Sequence, residues 1–305
     1  MGNNMDSELI GKIAQIASVL EVSGHPKPGN VHRTQDFDDM VFEDFLISGV
    51  VIGSLMKKAA ERGNRYKNDD SLHKIKLGEI IKEAVVETDQ WIGNNTNLGI
   101  VLLLTPLSAS AAMSNDLNDL RKNVGRVMEA TTSRDALDLY DAINLADAGG
   151  MGEQEELDVA DAEARDKIIN EDISMYRVLQ MSSKWDLLSY ELTNRMPVTF
   201  GIGFPTFKTT KMEYGINKAT VQTFLTILSK KPDTLISRKY GDDMAKLVSA
   251  DADSVLQSGG ILNPQGELLL RELDKQLVRN KLNPGTTADI TAASIMVAYL
   301  NEFGF

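Results

Sequence analysis

The stretch LGIVLLLTPLSASAAM, residues 98–113, is the most apolar run in the chain, and its reading decides the fold. Sixteen residues fall short of the roughly 20 needed to cross a bilayer, and Pro106, Ser108 and Ser110 interrupt the run. A helix that is apolar on all sides must be covered on all sides. The stretch therefore predicts a buried central helix inside a large helical core, not a membrane span.

Outward from that helix, apolar residues keep recurring at a helical period. Ile10, Ile13, Ile16, Ala17 and Leu20 share a face of a helix that Ser7 caps and that ends before Gly24. Phe42, Phe45, Leu46, Gly49, Ile52, Gly53 and Met56 trace one more, ended by the polar ERGNRYKNDD. Further helices are predicted over Ile75–Trp91, around Leu117–Val127, and from a Ser133 cap to Ile143. Residues 145–172, glycine- and acid-rich, read as a long surface connection enclosing a short helix. Helices resume at 173–192, 217–229, 241–256, 265–278 and 287–303. The one stretch with strand character is VTFGIGFPTF within 197–211, which reads as a short hairpin. The expectation is an all-α protein, a single domain over residues 1–305 of about ten helices.

With 42% hydrophobic and 25% charged residues, the 305-residue chain has the composition of a soluble globular protein. Absence of cysteine removes disulfides and thiolate metal sites, and the N-terminus lacks a signal-peptide pattern, so a cytoplasmic location is expected. A net charge of −12 disfavours nucleic acid as a partner. It leaves room for a polyanionic small molecule met by a local basic cluster or a divalent cation. A homo-oligomer is compatible with all of this.

Three segments carry candidate chemistry. In EVSGHPKPGNVHR, residues 21–33, two prolines and two glycines stiffen a loop holding Lys27, Arg33, His25 and His32. Gly29 permits close backbone approach, so a phosphate could dock there; a proline-stiffened connection with solvated charges explains it equally. Downstream, Asp39 and Glu43 stand four apart, the spacing of one helix face. Such a pair suits Mg²⁺ on nucleotide phosphates, and the alternative is that Asp36 or Asp38 caps the helix. Asn94, Asn95 and Asn97 cluster where the buried helix opens; a single N-cap needs only one of them, and the surplus favours a ligand.

Other patterns are weaker. Gly149–Gly152 follows a helical pattern and is not followed by Lys-Ser or Lys-Thr, so Rossmann and Walker A sites are rejected. Asp186 lies on a helix that could line a pocket or face solvent. Thr286 and Asp289 fit a capping box. With three histidines and no cysteine, His73 in a polar turn, the composition argues against a structural zinc site.

The string EVSGHPKPGNVHR resembles the signature of the triphosphoribosyl-dephospho-CoA synthase family, matching at Glu21, Val22, Ser23, Pro26, Lys27, Pro28, Gly29, Val31 and Arg33. Asp39-Met40 follow in register, then Asn95-Thr96 with Gly99, Asp233-Thr234 with Arg238 and Gly241, and Pro284-Gly285 with Ala288-Asp289. Two departures stand out. His32 occupies a position the family usually gives to Asp, and Asn97-Leu98 replace a His-Lys pair. Both make the chain similar to an archaeal-type branch and leave the acceptor open.

The resemblance implies an all-helical, Mg²⁺-assisted transferase with ATP as substrate. The 2′-hydroxyl of dephospho-CoA would displace adenine from C1′ of ATP, carrying the triphosphate over with the ribose. It also implies roles: Lys27, Gly29, Arg33 and Arg238 toward triphosphate, Asn95 and Asn97 toward ribose or base, Asp39 and Glu43 toward Mg²⁺. Asp39, Asp289 and Asp186 are the candidate catalytic carboxylates. Ribosyl or nucleotidyl transfer to a different cofactor precursor is the nearest alternative, and a non-catalytic nucleotide-binding regulator is another.

Overall fold

The computed structural model describes residues 5–94, 96–146 and 162–305. Asn95, the glycine run at 149–152 and most of the expected acidic connection lie outside these residues. Among the described residues the chain forms sixteen α-helices and no β-sheet. It divides into two compact units, one of residues 1–16, 47–196 and 299–305, the other of residues 17–46 and 197–298. No described helix is long and apolar enough to cross a membrane.

In the first unit the decisive stretch is a buried helix, as its composition requires. It is α5 (Leu98–Ala111), preceded by the first part of α1 (Ser7–Ser23), the last part of α2 (Phe42–Val51), and α3 (Gly53–Arg65) and α4 (Leu77–Ile92). After it come α6 (Leu117–Glu129), α7 (Ser133–Leu145), α8 (Ala162–Asn170), α9 (Met175–Ser182) and α10 (Leu187–Thr193). Helix α5 is covered by α3, α4, α6 and α10, while α4 packs on α7 and α7 on α8 and α9. Thirteen of its fourteen residues are buried, so lost solvation is repaid by apolar contact on every side.

Close approach of α3 to α5 depends on small residues. Ala59, Ala60 and Gly63 are buried on α3, and a Cβ added at Gly63 would overlap the Ala109 carbonyl. Backbone cannot rotate away as a side chain can. Gly63→Ala is expected to cost about 3 kcal/mol, the upper end of overpacking, read as a lowered urea midpoint at unchanged m.

Capping corrects several sequence expectations by a residue. Asp6, not Ser7, caps α1, its Oδ1 accepting from the Glu8 amide at 3.1 Å. Thr132 rather than Ser133 caps α7, in a capping box with Asp135. The Asp135 carboxylate also accepts from the Gly78 amide at 2.9 Å in the first turn of α4, so one side chain serves two helix starts. The single helix expected through Phe42–Met56 is two, α2 and α3, and 173–192 likewise holds both α9 and α10.

The second unit adds α11 (Phe204–Tyr214), α12 (Ile216–Lys230), α13 (Thr234–Tyr240), α14 (Asp242–Gln257) and α15 (Pro264–Arg279), and most of α16 (Gly285–Phe303). Helix α12 packs on α11 and α14, and α14 on α13 and α15. Val221, Phe224, Leu225, Val248, Leu270 and Leu277 are core residues of this unit. The hairpin expected within 197–211 is absent: a π-helical turn at Thr199–Gly203 runs into α11. A Cβ at Gly203 would overlap the Ser294 side chain, so the glycine is there for helix packing. With no neighbouring strand, helical turns satisfy these backbone groups where a lone hairpin would expose them.

Candidate active site

The second unit builds residues 21–33 into a rigid loop. Two N–H groups of Arg33 donate to the Ser23 carbonyl, at 2.9 and 2.5 Å, tying the loop's end to the last residue of α1. Asn217, on α12, clamps the middle: its Oδ1 accepts from the His25 amide at 3.0 Å and its Nδ2 donates to the His25 carbonyl at 2.7 Å. The same Oδ1 accepts from Arg33 at 3.1 Å. Backbone fixed at two peptide groups by one amide holds the His25 side chain at low entropic cost.

Lys27 is fully enclosed, at 0% exposure, and its ammonium is ion-paired with the Glu21 carboxylate, itself 2% exposed. It also donates to the Glu21 carbonyl at 3.2 Å and lies 5.8 Å from the centre of the Phe224 ring. Burial pulls the Lys27 ammonium below the ordinary lysine value, opposed by Glu21 and by the charge of Asp289. Burial likewise pushes the Glu21 carboxyl up, opposed by Lys27. Lys27 and Asp289, far apart in sequence, thus share one electrostatic environment. The fold turns the Lys27 cation inward to Glu21.

Gly29 has φ of +71°, and a Cβ there would lie 2.5 Å from the Leu282 carbonyl oxygen and 2.7 Å from Leu277 Cβ. Its amide donates to Asp274 Oδ1 at 3.0 Å. Close approach is real, but to the end of α15. Asp274 Oδ2 meets His32 Nε2 at 3.3 Å, and His32 Nδ1 lies 3.2 Å from His25 Nδ1. The Thr34 hydroxyl reaches both Nδ1 atoms, at 3.1 Å for His25 and 3.4 Å for His32.

The expectation that Asp39 and Glu43 share a helix face is corrected, because α2 starts only at Phe42. The start is fixed by other acids: Asp36 Oδ1 accepts from the Phe42 amide at 2.8 Å, and Asp44 Oδ2 from the Val41 amide at 3.0 Å. Asp39 and Glu43 are both exposed. Among the described residues no group of three or more His, Asp or Glu side chains could hold a metal ion.

The expected capping box of Thr286 and Asp289 is replaced by a longer-range arrangement. Helix α16 already starts at Gly285, and the buried Asp233 caps it from another element. Asp233 Oδ2 accepts from the Thr287 amide and hydroxyl, both at 2.8 Å. Its Oδ1 accepts from the amides of Leu235 and Ile236, at 2.9 and 3.2 Å, capping α13. Burial pushes the Asp233 carboxyl up, with these four bonds opposing the rise. Arg238 sits in the last turn of α13, where a cation suits the helix dipole.

Among the described residues, two of the proposed ones belong to the first unit. Asn97, 3% exposed, makes no side-chain cap for α5; its amide donates to the Thr88 hydroxyl at 3.1 Å. Asp186 caps α10, accepting from the Ser189 amide and hydroxyl at 2.8 and 2.7 Å.

Sequence reading therefore found the loop but not its supports. Asn217 and Asp274 lie on ordinary amphipathic helices, where nothing local marks them out. The histidines carried a signal, being two of only three in the chain.

Comparison with known proteins gives a consistent result. The CitG family model, described as ATP:dephospho-CoA triphosphoribosyl transferase, matches residues 7–304. A Pseudomonas fluorescens (strain Pf-5) protein assigned as 2-(5''-triphosphoribosyl)-3'-dephosphocoenzyme-A synthase is 30% identical over 108 residues, 35% of this chain and 37% of that one. The alignment thus spans little more than a third of that relative. A protein of the same assignment from Photobacterium profundum is 25% identical over 97% of this chain and 88% of its own length. A crystal structure from Archaeoglobus fulgidus, assigned as triphosphoribosyl-dephospho-CoA synthase, aligns with TM-score 0.66 at 24% identity, covering 84% of this chain and 98% of that one; it shows the shared fold. The family match spans both units, and the chain belongs to the ATP:dephospho-CoA triphosphoribosyl transferase family.

Proposed function

We propose that the protein transfers the triphosphoribosyl group of ATP to the ribose 2′-hydroxyl of dephospho-CoA and releases adenine. The observation that carries this is the family match over residues 7–304. Preorganisation of the 21–33 loop, with exposed Arg33 at its edge and Arg238 in the same unit, supports a site for a polyanionic donor.

Mg²⁺ fits as an ion carried by the triphosphate, because such an ion takes only one or two protein carboxylates plus water. Exposed Asp39 and Glu43 are the residues proposed to meet it, and it would neutralise charge on the transferred chain. Leu98 is apolar and the buried Asn97 amide is bonded to the Thr88 hydroxyl, so a His-Lys pair acting at those two positions is missing here. That favours, as a second reading, the same chemistry on a different acceptor.

Incubation with ATP, Mg²⁺ and dephospho-CoA is expected to release one adenine per CoA-type product, followed by chromatography and mass spectrometry. Adenine release only with another acceptor would select the second reading. Binding of ATP with no adenine from any acceptor would leave a nucleotide-binding regulator.

A further inference from the structure

Sugar transfer to a hydroxyl needs a base for the hydroxyl proton, and the loop carries a group arranged for that task. The hydrogen-bond pattern dictates its tautomers. Asp274 Oδ2, facing His32 Nε2 at 3.3 Å, keeps a proton on that nitrogen. His32 Nδ1 is then an acceptor, met by the Thr34 amide at 3.4 Å and by His25 Nδ1 at 3.2 Å. With a lone pair on His32 Nδ1, the contact assigns the His25 proton to Nδ1, where the Thr34 hydroxyl at 3.1 Å also accepts from it, and leaves Nε2 with its lone pair. No other described residue hydrogen-bonds that nitrogen, and His25 is only partly buried whereas His32 is 2% exposed. A buried imidazole, paired with a half-buried carboxylate, thus stands behind one accessible imidazole whose backbone Asn217 clamps.

We infer that His25 is the general base of the transfer reaction, with His32 and Asp274 as positioning residues behind it. This rests on the transferase reading above. The acceptor O–H bond breaks as its proton passes to His25 Nε2. The oxygen's electron pair forms the new bond to C1′ of the donor ribose. The C1′–N bond breaks, its pair leaves with adenine, and adenine takes a proton from water. The imidazolium formed on His25 is stabilised through His32 by the Asp274 carboxylate. Neither Asp186, already bonded to Ser189, nor Asp289, beside Lys27, has this arrangement. Burial lowers the pKa of His25, as do His32, Arg271 and Arg33, with Asp274 opposing; the base is therefore neutral in the working range.

His25→Ala is expected to lower kcat by about 10²–10⁴-fold, the usual contribution of a general base, with KM for ATP changed less than about twofold. The acidic limb of the kcat/KM profile should vanish, and added imidazole should recover part of kcat. Wild-type kcat, or an unaltered acidic limb, overturns the proposal. If His25→Ala loses its far-UV dichroism, Asp274→Asn decides instead. Removing the opposing carboxylate should move the acidic limb to lower pH with reduced kcat, and an unmoved limb overturns the proposal. The wild-type protein also gives a readout without turnover. With three histidines in the chain, ¹⁵N NMR should show one in the Nδ1–H form, lost in His25→Ala, and an Nε2–H tautomer for His25 overturns the proposal. Correct tautomers with no adenine release from wild type would instead fault the transferase reading.

Discussion

Asp233→Ala is expected to be among the most damaging single substitutions in the chain. The side chain is fully buried and accepts four hydrogen bonds, two at the start of α13 and two from Thr287 in α16. Loss of one helix cap costs about 1 kcal/mol, and each amide left buried without an acceptor adds about 1–3 kcal/mol. A total loss of about 3–5 kcal/mol is expected, measured by urea denaturation. Asp233→Asn keeps the shape and one acceptor oxygen, so it should cost roughly half as much. A loss below about 1 kcal/mol for the alanine variant would mean that the two helix starts do not depend on this carboxylate. The direction of the pKa shift adds a sign: the neutral form is favoured in the fold, so ionisation weakens the contribution as pH rises past the ordinary carboxyl range.

Glu21→Ala is the second large effect. It would leave the Lys27 ammonium enclosed with its ion-pair partner gone, which for buried pairs costs about 3–5 kcal/mol. The double variant Glu21→Leu, Lys27→Met should recover most of the loss, since a buried pair replaced by apolar groups is often neutral. The expected result is a thermal melt close to wild type for the double variant and far below it for either single one. Additive losses in the double variant would show that the two side chains do not act as a pair. Adenine release by the folded double variant then separates two roles. Retained turnover makes Lys27 structural, and lost turnover with an intact melt supports its place beside the triphosphate.

Much of the helical architecture was legible because each helix buries a stripe, and the stripe shows as periodicity. Helix α5 was read from composition alone, since no solvated face exists to disguise it. Residues 197–211 failed for the opposite reason: their glycine and β-branched pattern serves packing against Ser294, a contact 91 residues further on that no local window contains. Capping by Asp233 was missed similarly, as Thr286 and Asp289 offered a local solution and the chain used a remote one. In the candidate site, the loop was visible from its prolines and glycines. Its hydrogen-bond partners Asn217 and Asp274 were not, because a polar residue on an amphipathic helix looks the same whether it faces water or a histidine.

The all-round burial of α5 has a consequence for how the protein is made. Its neighbours α3 and α4 precede it off the ribosome, but α6 and α10 follow, α10 by some eighty residues. At ordinary elongation rates that interval is on the order of ten seconds. For that time the greasiest segment of the nascent chain is only partly covered. Its protection in the cell therefore depends on how fast translation delivers residues 187–193, or on a chaperone that holds the gap.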